Sequence, residues 1–325
     1  MKKYNLYSLI AGLSYGFMTK ILVDMSPSLF SEDFVDPAKI IGTLSFSFLM
    51  LMPFGMGAVT VYFSGRTEPV SYAQQIMMPW FPVTLCMFGS FIFFIEGLIC
   101  IVLALPLFWL MSSIGGLVMG LFVHWKYSKN TLMSIAILPL LMLPIESSNT
   151  FLPQERWVST SVLIEAKPEE IWSSFLDVQD IKPEELGFSV SNLMGFPRPL
   201  HADMRGAGIG SLRVSTWEKG VEFGERITEW NPNISVAWEF EINPEKIPPK
   251  ALDEHVKLGG KFWTVVKGEY NISEVSMDRS KLELRTLYRN NTSWLLPYAQ
   301  IWSDFLLDDF QSSILNLIKV RSESL

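Results

Sequence analysis

From Met77 to Trp125 the chain carries a single charge, Glu96. A transmembrane helix needs ~20 predominantly apolar residues, so this tract is about two spans long and should fold as a membrane hairpin. Its turn falls near Glu96–Gly97 or near Pro106, and the residues leave both open. Three further apolar stretches accompany it: Tyr4–Val23, Ile40–Phe63 and the shorter Leu132–Ile145. Together they predict about five spans. Lys20 interrupts the first near its end, where a long side chain reaches the interface. Lys2 and Lys3 precede that stretch and no A-x-A-like site follows, which reads as an uncleaved span.

With five spans, Lys2/Lys3, Arg66 and Lys126/Lys129 lie on one side, and the acidic segment Asp24–Lys39 lies on the other. The positive-inside rule then puts the N-terminus in the cytoplasm and the C-terminal half outside it. A four-span count would reverse the latter. Glu96 reads as a hairpin residue touching water, against the alternative of an ion or ligand path. Gly115, Gly116 and Gly120 permit close helix packing, which suits an anchor.

The charge distribution separates the halves. Residues 1–150 carry 7 Lys/Arg and 7 Asp/Glu, so the whole net charge of −7 lies in residues 151–325. An acidic second half lacks the clustered cations that nucleic acid requires. Cys86 and Cys100 both lie in apolar runs, so no disulfide framework supports the second half. His124, His201 and His255 are far apart, and neither metal-ligand spacing nor a GxSxG nucleophile motif occurs. No metal, cofactor or catalytic set is predicted. The glycines Gly206, Gly208 and Gly210 do not join a strand to a helix, which excludes a phosphate loop, and they read as a bend entering a strand. Three Asn-X-Ser/Thr triplets, at Asn233, Asn271 and Asn290, are of a kind that arises by chance.

After Pro153 the pattern becomes that of a folded aqueous domain. Trp157–Glu165 alternates as a strand. Pro168 then opens a helix, with Glu169 and Glu170 complementing its positive end and Ile171, Trp172 and Phe175 forming an apolar face. Gly208–Ile242 reads as three antiparallel strands turning at Glu218-Lys219-Gly220 and Asn231-Pro232-Asn233. Phe262–Val275 and Lys281–Asn291 are two more, and an amphipathic helix from about Pro297 to Arg321 ends the domain. Its apolar stripe is read as Tyr298, Ile301, Trp302, Phe305, Phe310, Ile314 and Ile318.

The stretches "VLIEAKPEEIWSSFLDV", "GIGSLRV", "GVEFGERITEWNP", "GGKFWTVVKGEYNI" and "LELRTLYRNNT…YAQIW" resemble, in this order, the SRPBCC superfamily. This is the START/Bet v 1-like helix-grip group, and the likeness is to its polyketide cyclase/dehydrase and lipid transport branch over about residues 155–321. The resemblance implies a curved antiparallel sheet around the long C-terminal helix, with an apolar cavity between them. The expected fold is thus a membrane α-helical bundle over 1–150 followed by an α+β helix-grip domain over 151–325.

Strand parity sorts the faces of that domain. Val221, Phe223, Glu225 and Ile227 share one face; Val236, Trp238, Phe240 and Ile242 another; Leu282, Leu284, Thr286 and Tyr288 a third. Trp238, Tyr288, Tyr298 and Trp302 are the aromatic candidates for lining a cavity. Glu225, alone among apolar neighbours, calls for a cationic partner such as Arg213. Both are candidates for holding a ligand head group, with a structural ion pair as the alternative. His255 sits on a loop able to close over the mouth, whereas His201 has no assignable role. The expected function is membrane-tethered binding of a hydrophobic small molecule such as a lipid, which tethering would hold at high effective concentration. The alternatives are a cyclase- or dehydrase-type enzyme using Glu225 or His255, or a sensor or assembly protein.

Overall fold

The computed structural model describes residues 3–29, 46–66, 69–93, 97–125, 128–147, 153–249, 251–252, 256–260, 262–291 and 295–324. Glu96 and His255 lie outside the described residues. The chain divides into two compact units, Met1–Thr150 and Phe151–Leu325.

The first unit is helical: α1 (Lys3–Leu29), α2 (Met52–Gly65, entered through a π turn at Ser47–Leu51), α3 (Tyr72–Met77), α4 (Trp80–Ile92), α5 (Leu98–Phe122) and α6 (Ser128–Ser147). The long apolar tract breaks between Ile92 and Leu98, and Pro106 lies inside α5. Of the two positions the sequence allowed, the helix is interrupted at the one beside Gly97 and continues through Pro106. Among the described residues, three helical stretches are long and apolar enough to cross a membrane: Ser47–Gly65, Tyr72–Ile92 and Leu98–Phe122. The described apolar parts of the outer helices, Leu6–Leu22 and Ser128–Met142, are shorter than a full span. Glycine lets α2 and α5 touch along their backbones: a Cβ on Gly57 would sit 1.9 Å from the Ser112 carbonyl oxygen, and one on Gly115 1.9 Å from that of Phe54. Trp80 and Trp109 stack at 5.2 Å, and their indole N–H groups donate to Ser113 and Thr84. Lys20, expected to reach for an interface, is instead buried with its ammonium 4.8 Å from the Phe48 ring centroid.

The second unit is one sheet and one long helix. Its strands are β1 (Gln154–Ile164), β2 (Pro199–Arg205), β3 (Leu212–Trp217), β4 (Val221–Asn231), β5 (Ser235–Glu241), β6 (Trp263–Ser276) and β7 (Arg279–Asn290). They form a seven-stranded antiparallel sheet in the order β1-β7-β6-β5-β4-β3-β2. Between β1 and β2 run three short helices, α7 (Pro168–Leu176), α8 (Pro183–Leu186) and α9 (Val190–Leu193). The closing helix α10 (Leu296–Ser322) lies along β1 and β7. This is the antiparallel sheet with a C-terminal helix that the helix-grip reading calls for.

Local chemistry explains the elements. In α7, Pro168 occupies the first turn and the Glu170 carboxylate accepts the Lys167 N–H at 2.8 Å. The β3–β4 turn puts Lys219 at φ 59° and Gly220 at φ 75°, as a tight hairpin with right-handed twist requires. Gly206, Gly208 and Gly210 all have positive φ, making the bend into β3. Strand β2 is not anticipated by the sequence pattern. Its prolines hide it, yet Pro199 is tolerated because it opens an edge strand. The outer face of the sheet carries cross-strand pairs, Arg226–Glu241, Lys267–Glu239 and Arg289–Glu155 among them. Each is exposed and adds little stability.

Candidate functional site

Pairing in register assembles the inner face of the sheet. One row runs Ile227, Trp238, Gly268, Thr286, Val158 across β4, β5, β6, β7 and β1. The next runs Arg213, Glu225, Phe240 across β3, β4 and β5. The parity assignments hold: Val221, Phe223, Glu225 and Ile227 are buried, as are Leu282, Leu284, Thr286 and Tyr288. Gly268 decides how Trp238 lies, because a Cβ there would fall 2.3 Å from the indole Cζ2. Without it the ring lies flush over β6, and only 5% of Trp238 is exposed.

Glu225 has the partner its surroundings demand. Arg213 Nη1 donates to Glu225 Oε2 at 2.5 Å, and Ser215 Oγ donates to Oε1 at 3.0 Å. The rest of the guanidinium is committed to α7: Nε donates to the Leu176 carbonyl and Nη2 to that of Phe175, both at 3.1 Å. The last carbonyls of a helix lack intrahelical donors, so Arg213 closes α7 as well as neutralising Glu225. Burial alone would lower the pKa of Arg213; the charge and hydrogen bond of Glu225, together with Tyr270 and Asp177, more than offset this, and the guanidinium stays charged.

Helix α10 meets the sheet through a seam different from the expected stripe. Ile301 and Phe305 are exposed, whereas Ser303, Leu307, Gln311, Leu315, Ile318 and Ser322 face inward at spacings of three and four. The seam is partly polar because the sheet supplies partners. Gln311 Nε2 donates to Thr286 Oγ1 at 2.9 Å, Thr160 Oγ1 lies 2.7 Å from Gln311 Oε1, and Asn290 donates to Ser303. Tyr288, fully buried, donates its hydroxyl to Asp304 at 2.8 Å, and Asp304 pairs with Arg156 at 3.0 Å. Burial, reinforced by the hydrogen bond to Asp304, pushes the Tyr288 hydroxyl far above its ordinary pKa. Counting apolar residues therefore finds only part of the seam: Ile318 is buried and Ile314 packs against the core as expected, but Ile301 and Phe305 are exposed.

The predicted site residues separate into three places. Arg213 and Glu225 form the ion pair at the end of α7. Trp238 and Tyr288 lie within the inner face. Tyr298 and Trp302, partly exposed, meet edge to face at 6.4 Å near the start of α10. His201, on β2, stands 3.8 Å from Asp203.

The residue that joins these surfaces is Phe240, placed on the inner face by parity but not singled out as a site residue. It packs against three separate core clusters: one around Trp238 and Tyr270, one around Tyr288 and Leu307, and one around Phe223 and Ile247. Despite this position it remains partly exposed. Aromatic rings continue from it toward α10, through Phe223 (5.7 Å), Trp217 (6.0 Å) and Phe310 (5.7 Å). Trp263, at the start of β6 and also unmarked, stacks over Tyr288 at 6.3 Å. Among the described residues no group of His, Cys, Asp and Glu is arranged to hold a metal ion.

No family model and no curated protein matches the chain. Among solved structures the chain is similar to norcoclaurine synthase from Thalictrum flavum, with 11% identity over 53% of this chain and 97% of that one and a TM-score of 0.34. It is also similar to an aromatase/cyclase from Streptomyces (13% identity, 52% and 94% covered, TM-score 0.33). A Thermus thermophilus protein gives 13% identity, 52% and 98% coverage and a TM-score of 0.35. At such identities the likeness says nothing of activity, which rests on the geometry of the site itself.

Proposed function

We propose that the C-terminal domain binds a hydrophobic small molecule against the inner face of its sheet, around Phe240, and that the apolar helices tether it to a bilayer. One observation carries the reading: an inward-facing ring at the junction of three core clusters keeps solvent-accessible surface. Protein interiors are close-packed, so exposure at such a point marks space that the protein's own side chains leave unfilled. Its surroundings, Trp238, Phe223, Ile242 and Leu258, are apolar and suit a lipid-like or aromatic ligand. Of the predicted site residues, Trp238 and Tyr288 belong to the wall. Arg213 and Glu225 set its polar corner, with Tyr298 and Trp302 assigned to its rim. Binding is favoured over turnover because both Glu225 oxygens accept hydrogen bonds from the protein and the Tyr288 hydroxyl donates to Asp304. That leaves neither group free to exchange a proton with a substrate. On the five-span reading the domain stands on the extracytoplasmic side.

Native mass spectrometry of the full chain, purified in nanodiscs after exposure to a lipid extract from its host, tests this. A retained, identifiable small molecule is expected, and Phe240→Trp, which fills the space, should abolish its retention. A folded wild-type chain that never retains a ligand would sink the reading.

A further inference from the structure

We infer that the C-terminal domain rests on the lipid–water interface of a bilayer through an apolar ridge, formed by Ile301 and Phe305 of α10 with Phe188 and Leu193 at the two ends of α9. This goes beyond ligand binding and rests on the tethering part of the proposal above. The four side chains are 66%, 43%, 79% and 68% exposed. Their contiguity follows from local geometry. Ile301, Phe305 and Asp309 stand four residues apart and share one face of α10. Asp309 holds the start of α9, accepting from Ser189 Oγ at 2.6 Å and from the backbone N–H groups of Val190 and Ser191 at 3.1 and 2.9 Å. Phe188 precedes Ser189 and Leu193 ends α9, so both continue the line that Ile301 and Phe305 begin.

Two observations say what covers the ridge. The outward face of α10 changes along its length: Ile301 and Phe305 are its exposed residues in the first turns, Asp308 and Ser312 in the next. Trp302 flanks the apolar part, edge to face with Phe305 at 5.9 Å and with Tyr298 at 6.4 Å. Aliphatic and aromatic side chains giving way to polar ones mark an element that enters the headgroup region at one end, the depth at which Trp and Tyr concentrate. The second observation is chain continuity. Arg156, near the start of β1, pairs with Asp304 at 3.0 Å, so the apolar turns of α10 lie where the chain enters the domain. Only residues 148–153 separate α6 from β1. A bilayer holding α6 therefore lies within the ~25 Å that the connection from Ser147 to Gln154 can reach. Ile209, Ile234 and Met277 are also exposed, but they sit on the separate β2–β3, β4–β5 and β6–β7 turns, at the end of the sheet where β1 finishes. Singly exposed apolar residues are ordinary, whereas a contiguous ridge gains free energy when a surface takes it out of water.

Spin labelling of the full chain in phosphatidylcholine liposomes tests this. With Cys86→Ala and Cys100→Ala as background, a nitroxide is placed at Phe188→Cys, Leu193→Cys or Ile301→Cys. Its collisions are read with oxygen, which concentrates in lipid, and with a neutral nickel chelate, which stays in water. Labels at Leu110, exposed on α5, and at Met277 give the lipid and water references. At two or more ridge positions the oxygen-to-nickel ratio should be several-fold above that at Met277. Ridge ratios equal to that at Met277, with Leu110 in lipid, overturn the docking and leave the tether standing. Loss of collisions with both reagents at the ridge also overturns it, because a protein partner or a second copy then covers these residues. A Leu110 ratio matching that at Met277 overturns the tether itself, and the docking with it.

Discussion

Replacing Arg213 with methionine keeps most of the aliphatic stem and deletes the guanidinium. Three consequences follow from the geometry. Glu225, 5% exposed, keeps only the Ser215 hydroxyl, and the carbonyls of Phe175 and Leu176 lose their donors. Removing one member of a buried ion pair costs about 3–5 kcal/mol, because the survivor remains charged in a poorly solvated place. The carbonyls at the end of α7 add about 1 kcal/mol, since that end can partly rehydrate. The expected loss is about 4–6 kcal/mol, a large share of the ~5–15 kcal/mol that holds a typical domain. Arg213→Met/Glu225→Leu removes both charges and should recover about 2–3 kcal/mol, leaving mainly the open helix end. Hydrogen exchange on the full chain in nanodiscs, followed in peptides from α7, β3 and β4, reads both quantities. A single variant that loses under about 1 kcal/mol, or a double variant as unstable as the two singles summed, would refute the assignment of Arg213 as both counter-ion and helix cap.

Other outcomes follow from contacts elsewhere. Gly268→Ala drives a methyl into the Trp238 ring and should cost about 1–3 kcal/mol in thermal unfolding followed by tryptophan fluorescence; an unchanged melting temperature would mean that the strand yields freely. Gly115→Leu should separate α5 from α2, seen as loss of heat-stable protein in detergent, whereas Gly208→Ser, where no atom lies within 4 Å of the added Cβ, should be limited to the modest strain of its positive φ. The Asp309 carboxyl is raised by partial burial but held below its ordinary range overall by the Ser189 and Ser191 hydrogen bonds, and Glu185 is held low chiefly by Arg321. A depressed carboxylate contributes stability that is complete above its unfolded pKa of ~4 and is lost as pH falls through the lower folded value. Exchange protection of residues 183–193, corrected for intrinsic rates, should therefore be flat from pH 7 to 5 and fall below about pH 4. Asp309→Asn should reproduce the loss around α9 at neutral pH, and equal protection in that variant would contradict the role of the Asp309 carboxylate in holding α9.

Much of the domain is legible without coordinates because a sheet with one buried face writes its orientation into alternate residues. That is why β4, β5 and β7 read with the right side inward, and why Glu225, the single charge among them, points to Arg213 one strand away. The turns at Lys219-Gly220 and Asn233 are equally local, set by residues that tolerate positive φ. The apolar tract fixes helices for the same kind of reason: its composition offers water no surface. Its turn required the fold, since Pro106 and Gly97 are both permissible breaks and only packing chooses. Strand β2 escapes notice because Pro197 and Pro199 interrupt the pattern where it begins.

What the linear order could not carry is anything depending on several strands meeting at once. The buried seam of α10 contains Ser303 and Gln311 because Asn290, Thr286 and Thr160 arrive opposite them, and no residue of the helix reveals that. Phe240 looks like its neighbours on β5 until three clusters close around it and fail to cover it. Composition and periodicity are properties of single segments, so the sequence determined the elements and their faces. Hydrogen-bond completion and unfilled space are properties of the assembled whole, and the tertiary structure alone decided where they lie.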